Sequence, residues 1–480
     1  MTEQAVKISI TLKVGERVTE IEKEIQVAQM EPEIRAEMQK MGKVMLEEIL
    51  QELDKRLMAK WNGQWENLGR EKRSWATSLG KVEMIRRVYR DEQGRRRKPL
   101  DELLGIERYE RDSKELKGMG AYLGSELSYR QAAGQLSWLI GEEINKNRIQ
   151  CQVWEAGNGL ADQEEQEREA IFREGAEVRG GKAVVETLYG ESDGVWIHLQ
   201  REEKRKQEVR VGILYGGKKA IGKGRNRLTD KCCVTAMVAN SQEWQEQLLK
   251  TAHQYYDLTQ TRQMVVGGDG NGWVWNSFES FCIPHEHVLD RYHLFRAART
   301  AFGDWEKAKQ VVARIRSKGY EDMKDTLEAC RLQAQGKQRE KIQTFIRYVS
   351  HLSAGLQDLS LRVDCALDTT QVCSLGAIEG NVDKLVVHRM KGRGCSWRIP
   401  GARAMLALLR YRQQLRDDYR AFMDQIQAPA VTQPCSVNKK GQEVAIHASI
   451  PIFRGPDQFK PWVQTFKRSL GCAALSHDLA

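Results

Sequence analysis

Apolar and polar residues alternate from Lys7 to Glu24 with the two-residue period of a strand or hairpin, and after Glu31-Pro32 the period lengthens to that of a helix. Ile34, Met38, Met41, Met45, Ile49, Leu53 and Leu57 recur every three or four positions, a single stripe read as a core face in preference to a dimer seam. Trp61 to Gly80 is polar and reads as loop. Val82 to Tyr89 and Arg95 to Leu100, separated by Asp91-Glu92-Gln93-Gly94, read as a basic β-hairpin. Ser128 has the character of an N-cap before a helix with Ala132, Ala133, Leu136 and Leu139 on its apolar face, interrupted at Gly141. A second helix begins at Asn145, with Ile149, Val153 and Trp154 packing behind Asn145, Lys146 and Arg148. Two short helices around a turn, the second starting with polar and cationic residues, make a helix-turn-helix pattern. Asp162 to Glu177 then reads as a charged helical connector at a domain boundary.

From Ala183 the texture is strand, strand, strand: Val184 to Gln200, Glu208 to Tyr215 and Cys232 to Val238, with a basic loop, Gly216 to Arg227, between the last two. Ser241 caps a helix with Trp244, Leu248, Ala252 and Tyr255 on its apolar face. The β-branched run Met264-Val265-Val266 ends at Gly267-Gly268, which puts Asp269 at the carboxyl end of a buried parallel strand, where open α/β sheets bind ligands. The next strand, His287-Val288-Leu289, delivers Asp290, and a helix follows from Tyr292. Three strands, a helix, a strand and further helices is the order of an RNase H-like core, whose first strand also carries an acid, here Asp193. Phe302 to Leu361 is charged and helical by period, an all-helical insertion. Ser374 to Val382 is helix-compatible and carries Glu379. Ala402 to Phe422 reads as one more helix, and Asp457 to Leu470, with Trp462 and Phe466, as a closing one.

The fold class expected is therefore α/β: an RNase H-like core, a mixed sheet with flanking helices, carrying an all-helical insertion and preceded by a mainly helical DNA-binding region with a helix-turn-helix. The segments are 1–120 (helix and basic hairpin), 121–180 (helix-turn-helix and connector), 181–300 (first part of the core), 301–372 (insertion), 373–425 (final core helices with the glutamate) and 426–480 (tail). A chain of 480 residues, 41% of them hydrophobic, can bury more than one core.

Charge sharpens the picture. The net charge is +10, and the basic residues are clustered: Arg86, Arg87, Arg90, Arg95, Arg96, Arg97 and Lys98 in one segment, Lys218, Lys219, Lys223, Arg225 and Arg227 in another. Clusters on a basic chain favour a polyanion, with nucleic acid ahead of a merely solvated face. The arginines of the first cluster and Lys98 are suited to phosphates. The ten cysteines form no CxxC pair and no spaced framework, and read as reduced, mostly buried thiols. The amino terminus lacks an apolar core of signal-peptide length and no segment is apolar enough to span a membrane, so the expected place is the cytoplasm, at the nucleoid, with no membrane partner.

Two aspartates on neighbouring strand ends and a glutamate from a later helix can hold two hard, oxygen-seeking cations, Mg²⁺ or Mn²⁺, the arrangement that serves phosphodiester chemistry. ESDGVWIHLQ, GGDGNGW, VLDRYHLFRA and GAIEGNVDKLVVHRMKGRGCSW resemble the blocks of bacterial insertion-sequence transposases, long grouped as an uncharacterised protein family and related to the Mutator-like group. The resemblance runs from about Glu37 to Trp462. It implies an Asp-Asp-Glu triad on Asp193, Asp269 and Glu379, and an Asp/Cys-x-x-His block on Asp290 and His293. It further implies cleavage at the terminal inverted repeats of an element and attack of the freed 3′-hydroxyl on target DNA, by a homo-oligomer, a dimer or higher, assembled on DNA. His293 is open to a structural role or to bonding a carboxylate or a phosphate, and Arg389, Lys391 and Arg393 suit phosphate contacts. The rival readings are a non-catalytic DNA-binding regulator and a stand-alone RNase H-like nuclease.

Overall fold

The computed structural model describes residues 5–14, 17–26, 29–61, 63–178, 180–238, 240–362, 365, 367–369, 372–415 and 418–427. They group into two compact units, one within 1–156 and 419–428, the other within 157–418.

In the first unit, β1 (Ala5–Val14) and β2 (Arg17–Gln26) form an antiparallel pair, followed by the long α1 (Met30–Trp61). The helix meets the next sheet with Leu46, Leu50, Leu53 and Leu57, which pack with Val82, Met84, Trp75 and Leu100. This row is rotated from the expected stripe and shares only its last two residues. Ile34, Met38, Met45 and Ile49 are exposed, because the sheet packs on the neighbouring row of the helix.

Trp61 to Gly80 is not a loop: β3 (Glu66–Thr77) is a full partner of β4 (Gly80–Arg90), with Gly80 at φ +103 where the chain reverses. Its charged composition hid it, since its side chains face solvent and ion pairs such as Lys72 with Glu83. The expected second strand of the basic hairpin shrinks to β5 (Arg96–Arg97). Pro99 cannot donate to a ladder and instead opens α2 (Pro99–Leu104).

The basic residues here are met by acids. Asp101, 6% exposed, accepts a hydrogen bond from Arg73 at 3.0 Å and forms an ion pair with Arg86 at 3.2 Å. Asp54 holds Arg87, Asp91 holds Arg95 at 2.8 Å, Glu102 holds Arg97 at 2.7 Å, and Glu71 holds Arg96 at 2.6 Å and Lys98 at 2.7 Å.

α3 (Lys114–Glu126) and α4 (Tyr129–Ile140) follow. Ser128 and Gln131 form a capping box at the start of α4, and Gly141, at φ +71, ends it. The second helix of the expected pair is far from short: α5 (Lys146–Glu174) runs on through most of the charged connector and is divided between the units after Ala156.

The second unit is built on a five-stranded mixed sheet. Its strands are β6 (Thr187–His198), β7 (Lys206–Tyr215), β10 (Cys232–Ala236), β11 (Gln263–Gly268) and β12 (His285–Leu289), in the order β10-β7-β6-β11-β12. β7 runs antiparallel to its neighbours β6 and β10, and β11 runs parallel to both β6 and β12. The expected basic loop is a separate hairpin, β8 (Gly217–Gly222) and β9 (Arg225–Thr229), turning at Gly224, φ +69.

Trp244, Leu248 and Ala252 of α6 (Ser241–Tyr255) are buried with Leu188, Leu214, Val234, Met264 and Val266 of the sheet, and the cap is Asn240, one residue before the expected Ser241. The short α7 (Gly272–Trp275) follows β11. Then α8 (Arg291–Phe302), α9 (Trp305–Lys318), α10 (Glu321–Gln333), α11 (Gly336–His351) and α12 (Ser353–Leu356) enclose an apolar cluster of their own around Leu294, Ile315, Leu327 and Phe345. α13 (Ile378–Val382) continues directly into a π-helical stretch, Asp383–Lys391. The single helix expected over Ala402 to Phe422 is two, α14 (Ile399–Gln414) and α15 (Tyr419–Gln427), the latter grouped with the first unit.

The closing helix expected over Asp457 to Leu470, and most of the expected tail, lie outside the described residues. Among the described cysteines only Cys232 and Cys233 are buried, fewer than expected, and all are free. No helix among the described residues is long and apolar enough to cross a membrane.

Asp101→Ala strands two guanidiniums in a buried site. Loss of one partner of a buried ion pair costs about 3–5 kcal/mol, so denaturant unfolding should show a drop of that size, whereas an exposed pair such as Arg90–Glu66 should contribute under about 1 kcal/mol.

Candidate metal centre

β11 and β12 end side by side, and glycine makes the ending possible. A Cβ on Gly267 would run into Leu375 and one on Gly268 into Val274, so only bare backbone lets the returning chain and α7 close over the strand. The next residue, Asp269, accepts a hydrogen bond from the Asn271 amide at 2.8 Å, and its own carbonyl accepts one from the Tyr348 hydroxyl of α11 at 2.7 Å.

One strand over, Asp290 caps α8: its Oδ2 accepts from the amides of Tyr292 at 3.1 Å and His293 at 3.3 Å, and lies 3.1 Å from His293 Nδ1. The cap thus orients the histidine one turn into the helix. Asp193 comes from the middle of β6, its Oδ1 accepting from the Gly194 amide at 2.7 Å, and Glu379 from α13.

Five ligand-bearing side chains therefore converge, in two overlapping groups. Ligand atoms of Asp193, Asp269 and His293 lie within 4.8 Å of one another, and so do those of Asp290, His293 and Glu379. Asp193, Asp269 and Glu379 are brought to one place without forming a single tight cluster; His293 stands between the two aspartates and the glutamate.

The electrostatics follow from crowding. Burial pushes the Asp193 carboxyl above the usual range, and the charges of Asp269 and Asp290 add to the effect. Burial also works to raise Asp290, but hydrogen bonds with His293 and Glu379 outweigh it and hold this carboxyl low. Glu379 bears the complementary change: burial and the Asp290 charge raise it to about 7. Burial works to lower His293, and the hydrogen bond with Asp290 and the surrounding carboxylates more than reverse that. Glu379 Oε1 is buried with no hydrogen-bond partner. Each group offers two carboxylates and an imidazole, a donor set that suits a divalent cation.

A further residue sets this geometry. Glu191 lies two positions before Asp193 on β6, on the same face of the strand, and is 1% exposed. Its carboxylate accepts from the Tyr215 hydroxyl at 2.6 Å and from the amides of Gly376, Ala377 and Ile378 at 2.9, 2.9 and 3.2 Å. It therefore holds the start of the helix that carries Glu379. The signal was present in the sequence as a second acid two positions before Asp193 in the same strand.

The residues expected to touch DNA are placed variously. Asn145 spends its side chain capping α5 through the Arg148 amide at 2.9 Å, and Arg148 is bound to Asp112 at 2.8 Å, which leaves Lys146 exposed. Arg86, Arg87, Arg95, Arg96, Arg97 and Lys98 all have the acidic partners named above. Arg389 is buried with its guanidinium 5.3 Å from the Trp397 ring, Lys391 is exposed, and the Arg393 side chain lies outside the description.

The profile of an uncharacterised protein family, UPF0236, matches residues 20–421. A UPF0236 protein in the vanSb 3′ region of Streptococcus gallolyticus is 28% identical over 408 residues, 82% of this chain and 85% of that protein. Two UPF0236 proteins of Caldanaerobacter subterraneus subsp. tengcongensis are 24% and 23% identical over 397 residues, 81% of this chain and 79% and 74% of theirs.

The raised Glu379 carboxyl means the folded chain keeps a proton the unfolded chain would release, so this group's contribution to stability is full below the ordinary carboxylate range and lost as pH rises through about 7. Glu379→Gln keeps a donor toward Asp290 without the charge. In chelator it should exceed the wild type in stability at about pH 8 by on the order of 1 kcal/mol, screening allowed for, and match it at about pH 5; equal stability at both would refute the assignment.

Glu191→Gln should speed amide hydrogen exchange at Gly376, Ala377 and Ile378 while β7 and β11 stay protected. Unaltered protection there would show that something other than Glu191 holds the segment.

Proposed function

We propose that this chain, which belongs to the uncharacterised protein family UPF0236, is a DNA transposase that cuts at the ends of a mobile element and joins them to target DNA. The observation that carries the reading is the convergence of Asp193, Asp269, Asp290, His293 and Glu379 at the carboxyl ends of two parallel strands. The strand order, with three antiparallel strands followed by two parallel ones and the first strand central, supports an RNase H-like core. The resemblance of the four sequence blocks to insertion-sequence transposases supplies the reaction class.

Asp193, Asp269 and Glu379 would hold two Mg²⁺ or Mn²⁺ ions, and the unpartnered, buried oxygen of Glu379 and the raised carboxyls fit that role. Such ions, when bound, activate an attacking oxygen and stabilise a leaving one in phosphodiester chemistry. Asp290 orients His293 and balances its charge, leaving the imidazole able to hold a carboxylate or a phosphate oxygen beside the site. No side chain needs to become bonded to DNA: water and then a 3′-hydroxyl serve as nucleophiles. End recognition falls to α4 and the start of α5 as a helix-turn-helix, with Lys146 exposed at the start of its second helix, and the protein acts as a homo-oligomer on DNA in the cytoplasm, at the nucleoid.

Asp193→Asn, Asp269→Asn or Glu379→Gln should each abolish Mg²⁺-dependent cleavage of a duplex carrying the element's ends and leave binding of those ends intact. Substantial cleavage by any one of them would overturn the assignment. A wild-type protein that binds ends and never cleaves would favour the regulator.

A further inference from the structure

We infer that the β8–β9 hairpin is a surface for the phosphate backbone of duplex DNA, attached to the segment that carries Glu379; the inference rests on the nucleic-acid reading above. Between Gly216 and Thr229 the chain has five cations, Lys218, Lys219, Lys223, Arg225 and Arg227, and no acid. Residues 219–227 are exposed throughout. Lys219 and Arg227 are direct cross-strand partners, an arrangement of like charges that destabilises a two-stranded ribbon already marginal by itself.

Where like charges meet across strands elsewhere in this chain, acids neutralise them: Arg90 and Arg96 are opposite one another and are held by Glu66 and Glu71, and Arg87, opposite Arg70, is held by Asp54. Lys7 of β1 pairs with Glu22 of β2 at 2.7 Å, and Lys72 of β3 pairs with Glu83 of β4. Lys219, Lys223, Arg225 and Arg227 have no ion-pair partner among the described residues. A solvated face would look like the first two hairpins; this one is left unneutralised. A polyanion supplies the missing counter-charge, and regularly spaced phosphates suit four uniform cations that encode no sequence. A lipid surface fits less well, since Ile221 is the one large apolar side chain at the tip.

The base of the hairpin is tied to the site. Lys218 Nζ donates to the Ser374 carbonyl, and Lys231 Nζ, just past β9, donates to Asn381 Oδ1 at 3.0 Å. These two bonds bracket Glu379 in sequence, so a duplex lying on the hairpin is held next to the helix that bears it.

The test uses the full chain in chelator and a duplex of random sequence, with affinity followed against salt. Each backbone contact contributes about 0.9 to the slope of log affinity on log salt, so Lys219→Gln with Lys223→Gln and Arg225→Gln should flatten the slope by about two to three. Arg225→Lys with Arg227→Lys, which keeps the charge, should leave it unchanged. Thermal unfolding of the charge-keeping variant should match the wild type, and that of the neutralised variant should equal or exceed it, since Lys219→Gln relieves the repulsion with Arg227. A wild-type slope in the neutralised variant would overturn the hairpin's role and spare the functional reading; failure of the wild type to bind duplex DNA would overturn both. Preferential binding of single-stranded RNA or of anionic vesicles would assign the surface to another partner and overturn the inference.

Discussion

A carboxylate buried inside a sheet is tolerable only when donors meet its charge, and Glu191 meets that condition with the amides of a segment 185 residues or more further along the chain. The placement of Glu379 depends on that exchange. The sheet alone delivers Asp193, Asp269 and Asp290, each within a few residues of a regular strand. Glu379 arrives from beyond five helices, after a long excursion whose closure carries an entropic cost. The Glu191 carboxylate offsets it by making the start of α13 the one place where its charge is satisfied, and the start of α13 in turn needs acceptors for its unbonded amides.

Both units pair buried and half-buried charge, the second through Arg168 with Glu246 and Arg362 with Glu286, yet the second also gathers like charges together. In the first, buried and half-buried arginines meet aspartates and glutamates almost one for one, so a very basic stretch of sequence becomes internal scaffolding. In the second, acids crowd together at the strand ends with one imidazole among them, and cations crowd together on β8 and β9 with no acid among them. Charge that is paired within the fold maintains the fold. Charge that the fold leaves unpaired, at a cost in stability, points outward to something else.

The same distinction explains what could be read from the chain alone. Asp269 and Asp290 were legible because β-branched runs and glycines announce a buried strand and its end, and those signals are local. Ser128 and Gly141 were legible as caps for the same reason. The roles of Arg86, Arg87 and Arg97 were not, since the acids that neutralise them, Asp101, Asp54 and Glu102, sit on other elements and composition does not say who meets whom. β3 was missed because an exposed strand laced with ion pairs resembles a polar loop. The face of α1 was misjudged because two apolar rows share Leu53 and Leu57, and only the sheet opposite decides between them. Glu191 was overlooked beside a more conspicuous neighbour, its importance resting wholly on amides it meets across the fold.

The hydroxyl of Tyr348 bonds to the carbonyl of Asp269, joining the last long helix of the all-helical section to the backbone of a residue in the site. Leu352, from the same helix end, packs where Gly270 has no side chain. The helices between Trp305 and Leu356 are therefore a buttress and not a detachable appendage. A pared-down core from which they had been excised would retain every acid in the chain and lose the wall that keeps one of them in register, so the smallest working form of this protein is set by its bracing as much as by its chemistry.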